Sequence, residues 1–187
     1  MQSIESTAAI AANPQPQTLP ALFIGHGSPL HAVDDTEFSR AWRELGKILP
    51  KPAAILCISA HWETRGTRIT AMAQPKTIHD FYGFPPALFQ VNYPAPGDPV
   101  LALRIAEALS EFGVQPDPEW GLDHGSWAIL RHLYPLADVP VLQLSLDRDK
   151  TPAQHYRLGQ ALRWLRRDGV LILGSGNVVH NLRAIGP

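Results

Sequence analysis

The sequence predicts an α/β domain of three layers, α/β/α, in which helices cover both faces of a central, largely parallel or mixed sheet. Three observations carry this expectation. Four short apolar runs bounded by turn residues lie at 19–27, 52–61, 139–146 and 169–176, with the continuous hydrophobic character of strands buried on both faces. Helical signals with good caps lie between them. The two kinds of segment alternate along the chain, as repeated strand–helix units require.

In chain order, residues 1–18 are small and polar, include Pro14 and Pro16, and read as a flexible leader outside the core. LPALFIGHG is the first strand. Asp34 can cap a helix with Glu37 three residues on, and Phe38, Trp42, Leu45 and Leu49 follow at helical spacing. PAAILCISAH is the second strand. From 71 to 96, Pro75, Pro85, Pro86, Pro94 and Pro96 exclude long regular structure, while His79, Phe81, Tyr82, Phe84, Phe89 and Tyr93 supply aromatic surface. Such a segment is either the wall of a ligand pocket or a long packed connection. Asp98-Pro99 and Thr151-Pro152 each place a cap before a first-turn proline, opening helices to about Phe112 and Arg167. VPVLQLSL and GVLILGSG are the remaining strands, so 19–187 reads as a single domain.

With 187 residues the chain is long enough to bury a core, and its 45% hydrophobic and 18% charged content is that of a folded protein. The formal net charge of -1 provides no general attraction to nucleic acid or anionic membrane, so a small-molecule partner is expected. Cys57 is the one cysteine, which excludes an internal disulfide and any cysteine-rich metal site. No apolar run approaches the roughly 18 residues of a membrane span, and the N-terminus lacks the pattern of a secretory signal. Cytoplasm is the expected location. The sequence carries no signal for oligomeric state.

Any metal must therefore be held by histidines. His26 follows ALFIG, His61 follows AAILCISA and His180 lies a short turn beyond VLILGSG, so each leaves the carboxyl end of a strand. That edge of an open α/β sheet is where ligands bind, and imidazoles there can converge on zinc, iron, copper or nickel. A lone histidine at a strand end is more often structural; three in equivalent positions are harder to explain that way. His124 in GLDHGSW stands beside Asp123, and His79 in TIHDFYGFP beside Asp80. Both are suited to proton transfer, or to a plain hydrogen bond with a neighbour. His31, His132 and His155 have no comparable setting. GSGNVV lacks the third glycine and following unit of a dinucleotide site, neither Ser28 nor Ser126 lies in G-x-S-x-G, and Cys57 reads as a buried hydrophobe. Arg163, Arg166 and Arg167 fit a solvated helix end.

Five motifs stand in order: GHGSP at 25–29, SAHWE at 59–63, HDFYGFP at 79–85, GLDHGSW at 121–127 and GSGNVVHNL at 174–182. Together they resemble the type III extradiol ring-cleavage dioxygenases, and most of all their DOPA 4,5-dioxygenase branch, from about Leu19 onward. The resemblance implies His26, His61 and His180 as metal ligands, His124 as the acid–base residue and His79 as a substrate-binding residue of the pocket. It implies one Zn2+ or Fe2+ per chain, O2 as co-substrate and a DOPA-like catechol whose ring is opened to a yellow muconic semialdehyde. Branch members are described as zinc-binding, whereas ring cleavage in the wider family uses ferrous iron. Zinc has no redox chemistry, so the metal decides the activity. Related chains continue for several dozen residues beyond HNL and supply a further histidine ligand; this chain ends at Pro187, which implies absence of the family's C-terminal portion and reduced metal affinity or activity. Two other readings use the same histidines: a zinc-dependent hydrolase, in which the metal acidifies water, and an inactive metal-binding fragment of a dioxygenase.

Overall fold

The computed structural model describes residues 18–178. The expected leader, apart from Thr18, and His180 lie outside the described residues.

The predicted alternation becomes β1 (Ala21–Ile24), α1 (Glu37–Ile48) and β2 (Ala54–Ser59), followed by two short strands, β3 (Glu63–Thr64) and β4 (Arg68–Thr70). A single helical turn, α2 (Pro86–Phe89), interrupts the proline-rich loop. Next come α3 (Pro99–Ala108), β5 (Gln115–Asp117), α4 (His124–Leu133), β6 (Val141–Gln143), β7 (Leu146–Asp147), α5 (Pro152–Ala161) and β8 (Val170–Ser175).

The central sheet runs β1, β8, β2, β6, and every neighbouring pair is parallel. β8 therefore inserts between the first two strands, with Ile24 and Ser59 both level with Ser175. Alternate side chains of the strands face opposite ways, which produces the three layers. Ile55, Cys57, Leu171 and Leu173 pack toward Trp42 of α1 and Trp127 of α4. Ala54, Leu56, Leu142 and Val170 face Leu101 of α3 and Leu158 of α5. Among the described residues no helix is long and apolar enough to cross a membrane.

Some local details depart from the sequence expectation. α1 is capped by Thr36, not Asp34: Thr36 Oγ1 accepts from the Ser39 N–H at 3.1 Å, and Ser39 Oγ accepts from the Thr36 N–H at 2.9 Å. Asp34 is used in the preceding turn, where its N–H bonds the Leu30 carbonyl at 2.8 Å. Phe38 is half exposed because Trp42 takes the core position. The run VPVLQLSL is divided between two sheets. Leu144 N–H still bonds Cys57 of β2, but Ser145 and Leu146 bond Arg68 and Trp62, drawing the chain outward into β7. The helices expected to reach Phe112 and Arg167 do so by ending in 3₁₀ turns, Ser110–Phe112 and Leu162–Arg166. The proline-rich loop is packed as well as aromatic: Leu88 is fully buried, and the Tyr93 hydroxyl donates to the Tyr134 carbonyl at 3.0 Å.

Candidate metal centre

Because the central strands are parallel, their carboxyl ends share one edge. His26 lies two residues beyond Ile24 and His61 two beyond Ser59, so both flank the end of β8 at the level just past Ser175. Their Nε2 atoms are 3.0 Å apart. α4 leads into β6 and must run back along the sheet, which puts its first residue, His124, over the same edge. The His61 and His124 ring centroids are 3.9 Å apart, those of His26 and His61 4.8 Å, and those of His26 and His124 5.5 Å. One ligand atom from each of the three lies within 4.8 Å of the others. His26 and His124 are buried and His61 is partly exposed.

Asp80 joins two of these rings. Its Oδ1 accepts from the His124 backbone N–H at 2.9 Å and lies 2.9 Å from His124 Nδ1; its Oδ2 lies 3.7 Å from His61 Nδ1. The Nδ1 contact with His124 is short but not well aligned for an N–H···O bond. Burial pushes the Asp80 carboxyl up, but the His124 hydrogen bonds and charge outweigh it and hold the group below the ordinary carboxylate range.

The sequence places Asp80 next to His79 and Asp123 next to His124; in the fold Asp80 meets His124 instead, and Asp123 meets neither histidine through its carboxylate. The Asp123 carboxylate turns inward, accepting from the Ser126 N–H at 3.2 Å and from Gln143 Nε2 at 2.8 Å. It is the cap of α4. Burial raises its pKa, opposed by the hydrogen bonds from Gln143 and Ser59. Asp80→Asn should lower apparent zinc affinity about 10-fold, the lower end of what carboxylate partners of metal-binding histidines contribute. Competition with a chromophoric chelator checks this, and an unchanged affinity would show that Asp80 does not support His61 as a ligand.

His79 stands in the aromatic wall. Its Nε2 donates to the Val91 carbonyl at 2.9 Å, and its ring meets Phe81, Phe89 and Trp127 at centroid distances of 5.8, 6.1 and 5.8 Å. Phe81 in turn meets His124 edge-on at 5.6 Å. Among the described residues, the remaining histidines, His31, His132 and His155, are bonded within the framework. His132 Nε2 donates to the His31 carbonyl at 2.9 Å, and His155 Nε2 to the Asp147 carbonyl at 3.1 Å. Cys57 is buried in the core, as expected. Ser175 was not named from the sequence, although it lies inside a quoted motif, and Asp80 and Phe81 were named there only as the neighbour of His79 and as aromatic loop surface. An apolar cleft of about 340 Å³ lined by Ile58, Leu144, Leu158 and Leu162 lies elsewhere, and none of the three clustered histidines touches it.

The donor set fits a metal ion. Two imidazole Nε2 atoms 3.0 Å apart suit adjacent positions on one ion with metal–nitrogen bonds of about 2.1 Å. His124 brings a third imidazole to the same edge, its ligand atom within 4.8 Å of the other two.

A family model described as the catalytic LigB subunit of aromatic ring-opening dioxygenase matches residues 20–187. The chain belongs to this family. Among LigB-family relatives, the Escherichia coli K12 protein named 4,5-DOPA dioxygenase extradiol is 53% identical over 168 residues, covering 89% of this chain and 62% of that protein. The protein of the same name from Beta vulgaris is 48% identical over 166 residues, covering 84% of this chain and 61% of its own length. The crystal structure of an uncharacterized protein from Escherichia coli K12 matches with a TM-score of 0.75 at 46% identity, covering 90% of this chain and 65% of that one. The chain thus spans about three-fifths of the length of these curated relatives.

Proposed function

We propose that this chain carries the centre of a metal-dependent extradiol dioxygenase that opens the ring of a DOPA-like catechol with O2. The observation that carries the reading is the convergence of His26, His61 and His124 at the carboxyl edge of the sheet, in a chain of the LigB family. His26 and His61 hold the ion through Nε2, and His180, outside the described residues, is assigned as the third ligand. A bound ferrous ion supplies O2 activation and a charge that favours the ionised catechol, whereas zinc supplies the charge alone.

The remaining work belongs to side chains. His124 takes a proton from the catechol hydroxyl, and the ionised Asp80 beside it stabilises the imidazolium that results. Phe81, edge-on to His124, offers an apolar surface that orients the aromatic ring. His79 lines the substrate pocket by holding that wall, its own ring being tied to Val91. Both oxygen atoms of O2 enter the product, so one catechol and one O2 give one muconic semialdehyde without an external reductant.

The test is anaerobic loading with Fe(II) followed by O2 uptake with a panel of catechols including DOPA, beside the zinc-loaded protein. The iron form should consume one O2 per catechol and form a yellow product, and the zinc form none. An iron-loaded protein that consumes no O2 with any catechol would reject the dioxygenase reading.

A further inference from the structure

We infer that Ser175 is a positioning residue: it fixes the tautomer of His26 so that Nε2 presents its lone pair to the metal, and it ties that ligand to the helix carrying His124. The inference rests on the reading of His26 as a ligand and goes beyond it by assigning the residue that orients the ring.

The argument is one of proton counting. A serine hydroxyl has one proton to donate and lone pairs with which to accept. Ser175 Oγ has two close neighbours, the Gly125 carbonyl and His26 Nδ1, the latter at 2.8 Å. The carbonyl can only accept, so the hydroxyl proton is directed there. The contact with His26 must then be made by a ring proton on Nδ1, donated to Oγ. A neutral imidazole carries one ring proton, so with that proton on Nδ1 the ring lone pair is on Nε2. Nε2 is the atom that lies 3.0 Å from His61 Nε2. Ser175 and His26 are 2% and 3% exposed, so bulk water does not compete for these bonds.

The position of Ser175 is set by the sheet from both sides. It ends β8 with Ile24 of β1 and Ser59 of β2 level with it, and its carbonyl accepts from the Ala60 N–H at 2.9 Å. The hydroxyl bond to Gly125 reaches the residue immediately after His124. One side chain thereby relates the ligand just beyond β1 to the helix start that bears the proposed acid–base residue. An outer partner that fixes the tautomer of a metal-bound histidine typically contributes 10–100-fold in metal affinity.

The test reads the tautomer directly. Long-range proton–nitrogen correlation spectra of protein labelled with 15N-histidine, with His26 assigned by its loss in His26→Asn, should show the proton on Nδ1 in the metal-free wild type. Zinc should then shift Nε2. A proton on Nε2, or zinc bound through Nδ1, would overturn the inference. If zinc shifts neither His26 nitrogen, the ligand reading of His26 fails and the assignment of Ser175 toward the metal falls with it, whereas the metal-free spectrum separately reports whether the ring is held as described. Ser175→Ala should mix the two tautomers and weaken zinc binding about 10-fold, and Ser175→Thr, which keeps the hydroxyl, should restore the single tautomer. Ser175→Ala with wild-type zinc affinity and an unmixed tautomer would refute it; if a variant fails to fold, the wild-type spectra decide.

Discussion

His61→Ala is expected to abolish metal binding, reducing the metal content of purified protein from near one equivalent per chain to near zero, and O2 uptake with it. Its Nε2 is one half of the 3.0 Å pair with His26, and its ring is the one that touches both other histidines most closely. Loss of a direct ligand should exceed the 10–100-fold typical of outer partners, so affinity should fall by more than about 100-fold. Stability should change little. The His61 side chain is about a third exposed and belongs to neither hydrophobic cluster, and a loss of ~1 kcal/mol would move the thermal midpoint by only about 2–4 °C in a domain of this size. Metal analysis together with a thermal melt separates these effects. A variant that retains a full equivalent of metal would rule out His61 as a ligand.

Gly125→Ala is expected to destabilise the fold by about 1–3 kcal/mol and to weaken metal binding at the same time, because it overfills the junction between α4 and β2. A Cβ at this position would lie 2.3 Å from Ser59 Oγ, 3.1 Å from His61 Cδ2 and 3.2 Å from Asp123 Oδ1. Ser59 cannot rotate away cheaply: it is buried, accepts from the His61 N–H at 3.2 Å and bonds the Asp123 carboxylate. Moving it disturbs the backbone that presents His61. Gly159→Ala in α5 is the matched control. Nothing lies within 4 Å of its added Cβ, so there the ordinary preference of helices for alanine should stabilise by roughly 0.5–1 kcal/mol. Denaturant unfolding of the two variants should move in opposite directions; a Gly125→Ala protein as stable as the wild type would show that the close approach of α4 is not required.

Much of this architecture is legible from local pattern. The cap and proline at Thr151-Pro152 mark the start of α5, and the apolar run before Ser59 marks β2, because capping and continuous burial depend on neighbours in sequence. The positions of His26 and His61 follow from strand direction alone. The start of α1 was not legible in this way: the sequence suggested Asp34 as the cap, but the reciprocal bonds between Thr36 and Ser39 fix the helix start at Glu37. The division of VPVLQLSL was equally hidden, since its hydrophobicity is the same whether it pairs with β2 or continues outward to β3.

The sequence by itself thus determined an α/β chain with histidines at strand ends and, through its ordered motifs, a resemblance to the extradiol dioxygenases that the LigB match bears out. Tertiary structure decided which groups meet. β8, the strand latest in sequence, lies between β1 and β2, which is what brings His26 and His61 to either side of Ser175. Asp80 reaches His124 rather than serving its neighbour His79, across 44 residues, because the packed loop turns it there. Periodicity and capping report on contacts within a few residues; the ionisation of Asp80 and the tautomer of His26 depend on partners that only packing brings within hydrogen-bond range.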